Sequence, residues 1–170
     1  EIHQDIFLVE IPLPNSPLKC LNSYFIRSNG AGRNMIIDSG FNTEQCRTAF
    51  IEAMDYFGFT SQNTDFYATH LHSDHFALMQ SISLDEDINL YLGALDVEYL
   101  IRREKQNRQT GYGGGGRNIH LATRIFGMPD DYLDSIFKAE FMKSRKPDNE
   151  KMIKVYEGDK FKVGIYNFEA

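Results

Sequence analysis

The sequence predicts an α/β protein built on one layered sheet, and three features carry that expectation. The first is a set of short, β-rich apolar runs near the N-terminus, two of them separated by the turn cluster Asn29-Gly30-Ala31-Gly32. The second is an apolar stripe at helical period, formed by Cys46, Ala49, Phe50, Ala53, Met54 and Phe57. The third is the order of signals: after the hairpin the chain reads β-α-β-α-β, the alternation of a sheet with helices packed on it. A length of 170 residues suits one domain, taken as residues 1–170, rather than two.

Residues 6–11 are enriched in strand formers and stop at Pro12 and Pro14. Residues 20–27 and 33–38 follow as the arms of a hairpin. The helix after Ser39-Gly40 has Asn42 with Gln45 three positions on as a capping box, and Gly58 as its stop. A strand is expected over 65–69, a helix over 76–83, an exposed acidic loop at Asp85-Glu86-Asp87, and a strand over 88–92. Three helical pieces follow, over 94–107, 118–126 and 130–143, the last two separated by Met128-Pro129. Two final strands, 152–157 and 160–168, are expected to pair through the Gly158-Asp159 turn. Residues of about 94–151 thus read as a helical insertion in one compact unit.

Composition limits the function. Hydrophobic residues make up 42% and charged residues 25%, so neither disorder nor a fibrous repeat is indicated. The net charge of −6 argues against general binding to nucleic acid or anionic membranes. Charge is uneven, however: residues 94–154 hold 12 basic and 9 acidic side chains, against 6 and 15 elsewhere. No apolar run approaches the roughly 20 residues of a membrane helix, and no signal peptide is expected before Glu1. The two cysteines, Cys20 and Cys46, form no disulfide framework or CxxC motif and read as core residues. These features give the expectation of a cytoplasmic protein.

Chemistry concentrates in His70-Leu71-His72-Ser73-Asp74-His75, which holds three of the five histidines and a carboxylate in six residues. Imidazole nitrogen and carboxylate oxygen suit Zn²⁺ and similar divalent ions. His70 and His72, at i and i+2 of an extended segment, leave the chain on one side. Asp74 and His75 follow where it turns into a helix. The four groups can be divided between two adjacent metal positions about 3.5–4 Å apart, the arrangement of two-metal hydrolases.

The run from Asp65 through Thr69 into that motif resembles the signature strand and H-x-H-x-D-H loop of the metallo-β-lactamase-fold hydrolases. Met35-Ile36-Ile37-Asp38-Ser39-Gly40 is similar to that superfamily's strand ending in an Asp-x-Gly turn, Asn22 to Ile26 to the strand before it, and Glu157-Gly158-Asp159 to a later hairpin. The resemblance implies the N-terminal half of an αββα sandwich carrying a helical insertion. It implies one or two zinc ions, with iron or manganese as alternatives, and His70 and His72 as ligands of the first position. Asp74 and His75 would serve the second, Asp74 also acting catalytically by holding the attacking hydroxide and moving protons. Asp38 would orient a ligand from behind.

The superfamily's later ligands, a His, a bridging Asp and a final His, have no counterpart here. His120 is the only histidine after the motif, and His3 lies in the N-terminal tail. A site with two protein ligands per ion is under-coordinated, since catalytic zinc normally keeps three. The expectation is therefore a piece of a larger metal-dependent hydrolase, acting on an ester, thioester, amide or phosphodiester of a small molecule and nearly inactive alone. A bare sheet face would favour a homo-oligomer. Two alternatives are a nuclease of the same fold, suggested by the net-positive stretch, and a non-catalytic metal-binding or assembly module. Gly111-Tyr112-Gly113-Gly114-Gly115-Gly116 lacks the ending of a phosphate loop and reads as a flexible connection, and Arg102, Arg103, Lys105 and Arg108 read as a solvated helix face.

Overall fold

The chain, described in a computed structural model over residues 2–86, 88–110 and 149–170, begins with three antiparallel strands. Strand β1 (Ile6–Pro12) pairs with β2 (Cys20–Ile26), which pairs with β3 (Asn34–Ile37). From β3 onward the pairing is parallel, through β4 (Thr64–Tyr67), β5 (Leu90–Gly93) and β6 (Ile153–Val155). The result is a six-stranded sheet in sequence order, β1 to β6. Helix α1 (Glu44–Phe57) links β3 to β4, and α2 (Ser73–Glu86) links β4 to β5. Helix α3 (Ala94–Thr110) follows β5 directly, and a short 3-10 turn (Asn149–Lys151) leads into β6.

All three helices contribute to one core on one side of the sheet. Phe50 and Met54 from α1, Met79 and Ile82 from α2, and Val97 from α3 meet Ile11, Phe25, Ile36, Phe66 and Leu92 of the strands. Phe25 and Phe50 stand 5.7 Å apart, Phe25 and Phe59 5.3 Å, and Phe50 and Phe66 5.8 Å, all inclined rather than face to face. Each such ring contributes about 1.5–3 kcal/mol through burial, so this cluster anchors the three helices to the sheet.

The structure bears out the layered α/β fold and corrects several details. Thr43, not Asn42, caps α1, its Oγ1 accepting from the Cys46 backbone N at 3.3 Å. Gly58 ends that helix as expected, in the left-handed region at φ 73°. Helix α2 begins earlier and ends later than the sequence suggests, taking in Ser73, Asp74 and His75 at its start and Asp85 and Glu86 at its end.

The C-terminal strands differ most. β6 does not pair with the strand after it but joins the main sheet beside β5. The expected single strand over 160–168 is two, β7 (Lys160–Val163) and β8 (Tyr166–Glu169), paired in a separate hairpin. Gly164, at φ 60°, makes the turn, and a Cβ there would lie 3.1 Å from the Arg27 and Ser28 backbone. The hairpin lies on the sheet face opposite the helices, with Val163 buried against Ile26 and Met35 and Phe161 stacked on Tyr67 at 5.6 Å. The face expected to be bare is thus partly covered. The helices expected over 118–126 and 130–143, the Gly-rich connection, and most of the insertion lie outside the described residues.

Candidate metal centre

Parallel strands place their carboxyl ends side by side, and crevices beyond those ends are where such sheets bind ligands. Here Asp38 leaves β3 next to the segment that carries β4 through Thr69 and His70 to the start of α2, with the Asp38 backbone N donating to Tyr67 O at 3.0 Å. Asp38 takes a positive φ of 61° and Gly40 one of 114°, so the chain turns back sharply. A side chain at Gly40 would come within 2.8 Å of Ile11 Cγ2 and 3.4 Å of Cys46 Cβ, which leaves glycine as the residue that fits.

Serines hold this turn against its neighbours. Ser23 Oγ lies 2.7 Å from Asp38 O and 3.2 Å from Ile37 O, donating to these backbone carbonyls. Ser39 Oγ donates to His75 O at 3.1 Å and accepts from the Met79 backbone N at 3.0 Å, tying the β3 turn to the first two turns of α2. The sequence offered no distinct signal for Ser23 or Ser39 beyond their nearness to Asp38 in the fold.

The buried Asp38 carboxylate is the hub of the site. Its Oδ1 accepts from the Thr69 backbone N at 2.8 Å. Its Oδ2 accepts from Thr69 Oγ1 at 2.8 Å and from His75 Nδ1 at 2.7 Å. An ionised carboxylate only accepts, so Nδ1 of His75 carries a proton, and in the neutral ring the lone pair is then on Nε2. That free nitrogen lies 3.6 Å from Asp74 Oδ2. Two ligands of one tetrahedral ion at metal–ligand distances near 2 Å lie about 3.3 Å apart, so this pair fits a shared cation.

His70 sits between the other two imidazoles, its ring centre 4.2 Å from that of His75 and 4.5 Å from that of His72. The structure therefore brings His70, His72 and His75 together, with Asp74 beside His75. Burial, and after it the neighbouring His75 and His72, pushes the His70 pKa below the usual imidazole value, against the opposing pull of Asp38 and Asp74. The depressed value favours the neutral ring, the form that can ligate a metal. Burial and then the Asp38 charge raise the nearby Tyr67 phenol above its ordinary value.

Among the described residues, no group of three or more His, Cys, Asp or Glu side chains is already set out as an ion site. Tetrahedral ligation would put imidazole centres about 5 Å apart, so seating an ion requires a small outward rotation of the rings. The donor types present, imidazole nitrogen and carboxylate oxygen, are those that ligate divalent cations. Asp38, expected to orient a ligand, makes its imidazole contact with His75.

Among the described residues, the one other histidine stands apart from this cluster. His3 pairs with Tyr166 OH at 3.0 Å in the N-terminal tail, and His120 lies outside the described residues. Cys46 is buried with Sγ 3.0 Å from Pro12 O, in keeping with a core role. Arg102, Arg103 and Lys105 are exposed on α3.

No family model and no curated protein matches the chain. Solved structures do. A metallo-beta-lactamase family protein from Thermus thermophilus matches at TM-score 0.66 and 18% identity, over 99% of this chain and 52% of its own. A beta-lactamase domain protein from Burkholderia ambifaria matches at 0.64 and 19%, over 99% and 47%. A subclass B3 metallo-beta-lactamase from a soil metagenome library matches at 0.56 and 13%, over 96% and 47%. At such identities the likeness establishes shape, not chemistry. The chain has the metallo-β-lactamase fold and spans about half the length of the solved structures that share it.

Proposed function

We propose that the chain is the metal-gripping part of a metal-dependent hydrolase, with His70, His72, Asp74 and His75 as ligands of a divalent cation. The observation that carries this reading is the bond from His75 Nδ1 to Asp38, which leaves Nε2 on the Asp74 side, 3.6 Å from Asp74 Oδ2. Histidine ligands are held in this way, with one ring nitrogen tied to a carboxylate and the other free. A cation bound there supplies Lewis acidity and lowers the pKa of water toward neutrality.

Each residue has a task. His70, His72 and His75 offer ring nitrogens, and Asp74 offers a carboxylate able to accept a proton from the attacking water. Asp38 fixes the orientation of His75. The substrate is a small molecule with an ester, thioester, amide or phosphodiester centre. With four donors among the described residues, the chain should bind zinc weakly and turn over slowly. Among the described residues no helix is long and apolar enough to cross a membrane.

Titration of the chain with Co²⁺, followed by its visible absorption, tests the ligand set. The expected result is a tetrahedral or five-coordinate spectrum that Zn²⁺ displaces and that His75→Ala abolishes. Absence of any cobalt signal, or a signal indifferent to His75→Ala, contradicts the reading.

A further inference from the structure

The proposed ligand His70 is itself held, by a residue with no assigned part so far. Thr69 Oγ1 lies 2.8 Å from Asp38 Oδ2, 3.1 Å from Asp38 Oδ1 and 3.0 Å from His70 Nδ1. Its backbone N also donates to Asp38 Oδ1 at 2.8 Å, so the residue is fixed on the carboxylate by main chain and side chain together.

A threonine hydroxyl has one proton and two lone pairs, while an ionised carboxylate can only accept. The hydroxyl proton therefore belongs to the contact with Asp38. Toward His70 the oxygen can present only a lone pair. If Nδ1 of His70 also presented one, two acceptors would face each other at 3.0 Å. The arrangement is satisfied when Nδ1 carries the proton, and the ring's remaining lone pair is then on Nε2.

We infer that Thr69 is a positioning residue that relays the Asp38 charge to His70 and selects the His70 tautomer whose Nε2 is free to ligate a metal. One buried carboxylate then sets two imidazoles, His75 directly and His70 through a hydroxyl. The role in ligation rests on the metal-site reading above. The tautomer itself does not.

Heteronuclear NMR of the metal-free chain at about pH 8, where imidazoles are neutral, reads the two ring nitrogens of His70 separately. The native chain and Thr69→Ser, which keeps the hydroxyl, should show the proton on Nδ1. Thr69→Val, equal in shape but without the hydroxyl, should move the population toward the Nε2–H form. An unchanged dispersed amide spectrum in Thr69→Val establishes that the fold is intact. A His70 proton on Nε2 in the native chain, or a tautomer indifferent to Thr69→Val, overturns the inference.

Cobalt titration of the same three proteins separates this inference from the reading beneath it. Thr69→Val should weaken Co²⁺ binding about 10-fold, as loss of an outer partner does, with Thr69→Ser close to native. If the tautomer responds as expected but no protein binds cobalt, the metal-site reading falls and the assignment of Thr69 as the tautomer-setting residue stands. If cobalt binds with equal strength to all three, the positioning role is refuted.

Discussion

Two buried aspartates mark the two ends of the parallel strands, and they are used in opposite ways. At the amino end, Asp65 on β4 accepts from Arg33 Nε at 2.6 Å and from Asn89 Nδ2 at 3.0 Å. The same guanidinium donates through Nη2 to the Ser61 and Thr64 carbonyls and through Nη1 to the Gln62 carbonyl. Every nitrogen of Arg33 is consumed. This is a clasp that joins β3, β4 and β5 where they begin.

At the carboxyl end, Asp38 is equally buried, at 6% exposure against 7% for Asp65. Its partners are Thr69 and His75, and His75 has a second nitrogen on the far side of the ring. The contrast shows what separates a structural polar network from one able to do chemistry. Both satisfy their buried carboxylate, as they must, but only the second ends on groups with an unused lone pair pointing outward. The backbone differs too: Asp65 sits on regular strand, while Asp38 and Gly40 both take positive φ. Strain of this kind gathers where a side chain has to be aimed.

Substitutions can break this comparison at either end. Gly40→Ala should have the largest effect, because it adds a Cβ 2.8 Å from Ile11 in a backbone region closed to alanine. A stability loss of about 3 kcal/mol or more is expected in urea unfolding. Asp65→Ala should cost about 2–3 kcal/mol by leaving the half-exposed Arg33 without its charge partner, with Co²⁺ affinity unchanged in the folded protein. Asp38→Ala should show the reverse emphasis, weakening Co²⁺ binding about 10–100-fold with a smaller change in unfolding midpoint. Arg33→Lys should be mildest, about 1 kcal/mol, since an ammonium cannot reproduce the fork that reaches Asp65 and three carbonyls at once.

How much of this could be read from the sequence follows the same division. Helix α1 was legible because its stripe from Cys46 to Phe57 reports burial directly, and burial on one face is what periodicity encodes. The metal-ligand candidates were legible because histidines at that density are rare. The support beneath them was not. Thr69, Ser39 and Ser23 are ordinary residues whose importance comes from being brought beside Asp38 by β2, β3 and β4, and no local pattern records that meeting. Thr43 and Asn42 are both good helix caps, and only the backbone geometry chooses between them.

The β7–β8 turn was missed for a related reason. The alternation of Phe161, Val163 and Ile165 runs straight past Gly164, so the pattern hides the glycine whose close approach to Arg27 and Ser28 accompanies the chain reversal. Pairing of β6 with β5 rather than with the adjacent β7 is a long-range choice, decided by the free edge of a parallel sheet. The early start of α2 is obscured because Asp74 and His75 belong to the dense ligand motif, whose spacing carries no helical period.

The central claim is that Nε2 of His70 and Nε2 of His75 face one cation together with His72 or Asp74. Anomalous diffraction from a crystal of the chain grown with Zn²⁺ or Co²⁺ tests it directly. The account predicts an ion about 2.0–2.2 Å from both of those nitrogens, with Asp38 still bonded to His75 Nδ1. An ion bound through Nδ1 of either ring, or held elsewhere on the molecule with the three imidazoles untouched, would contradict it.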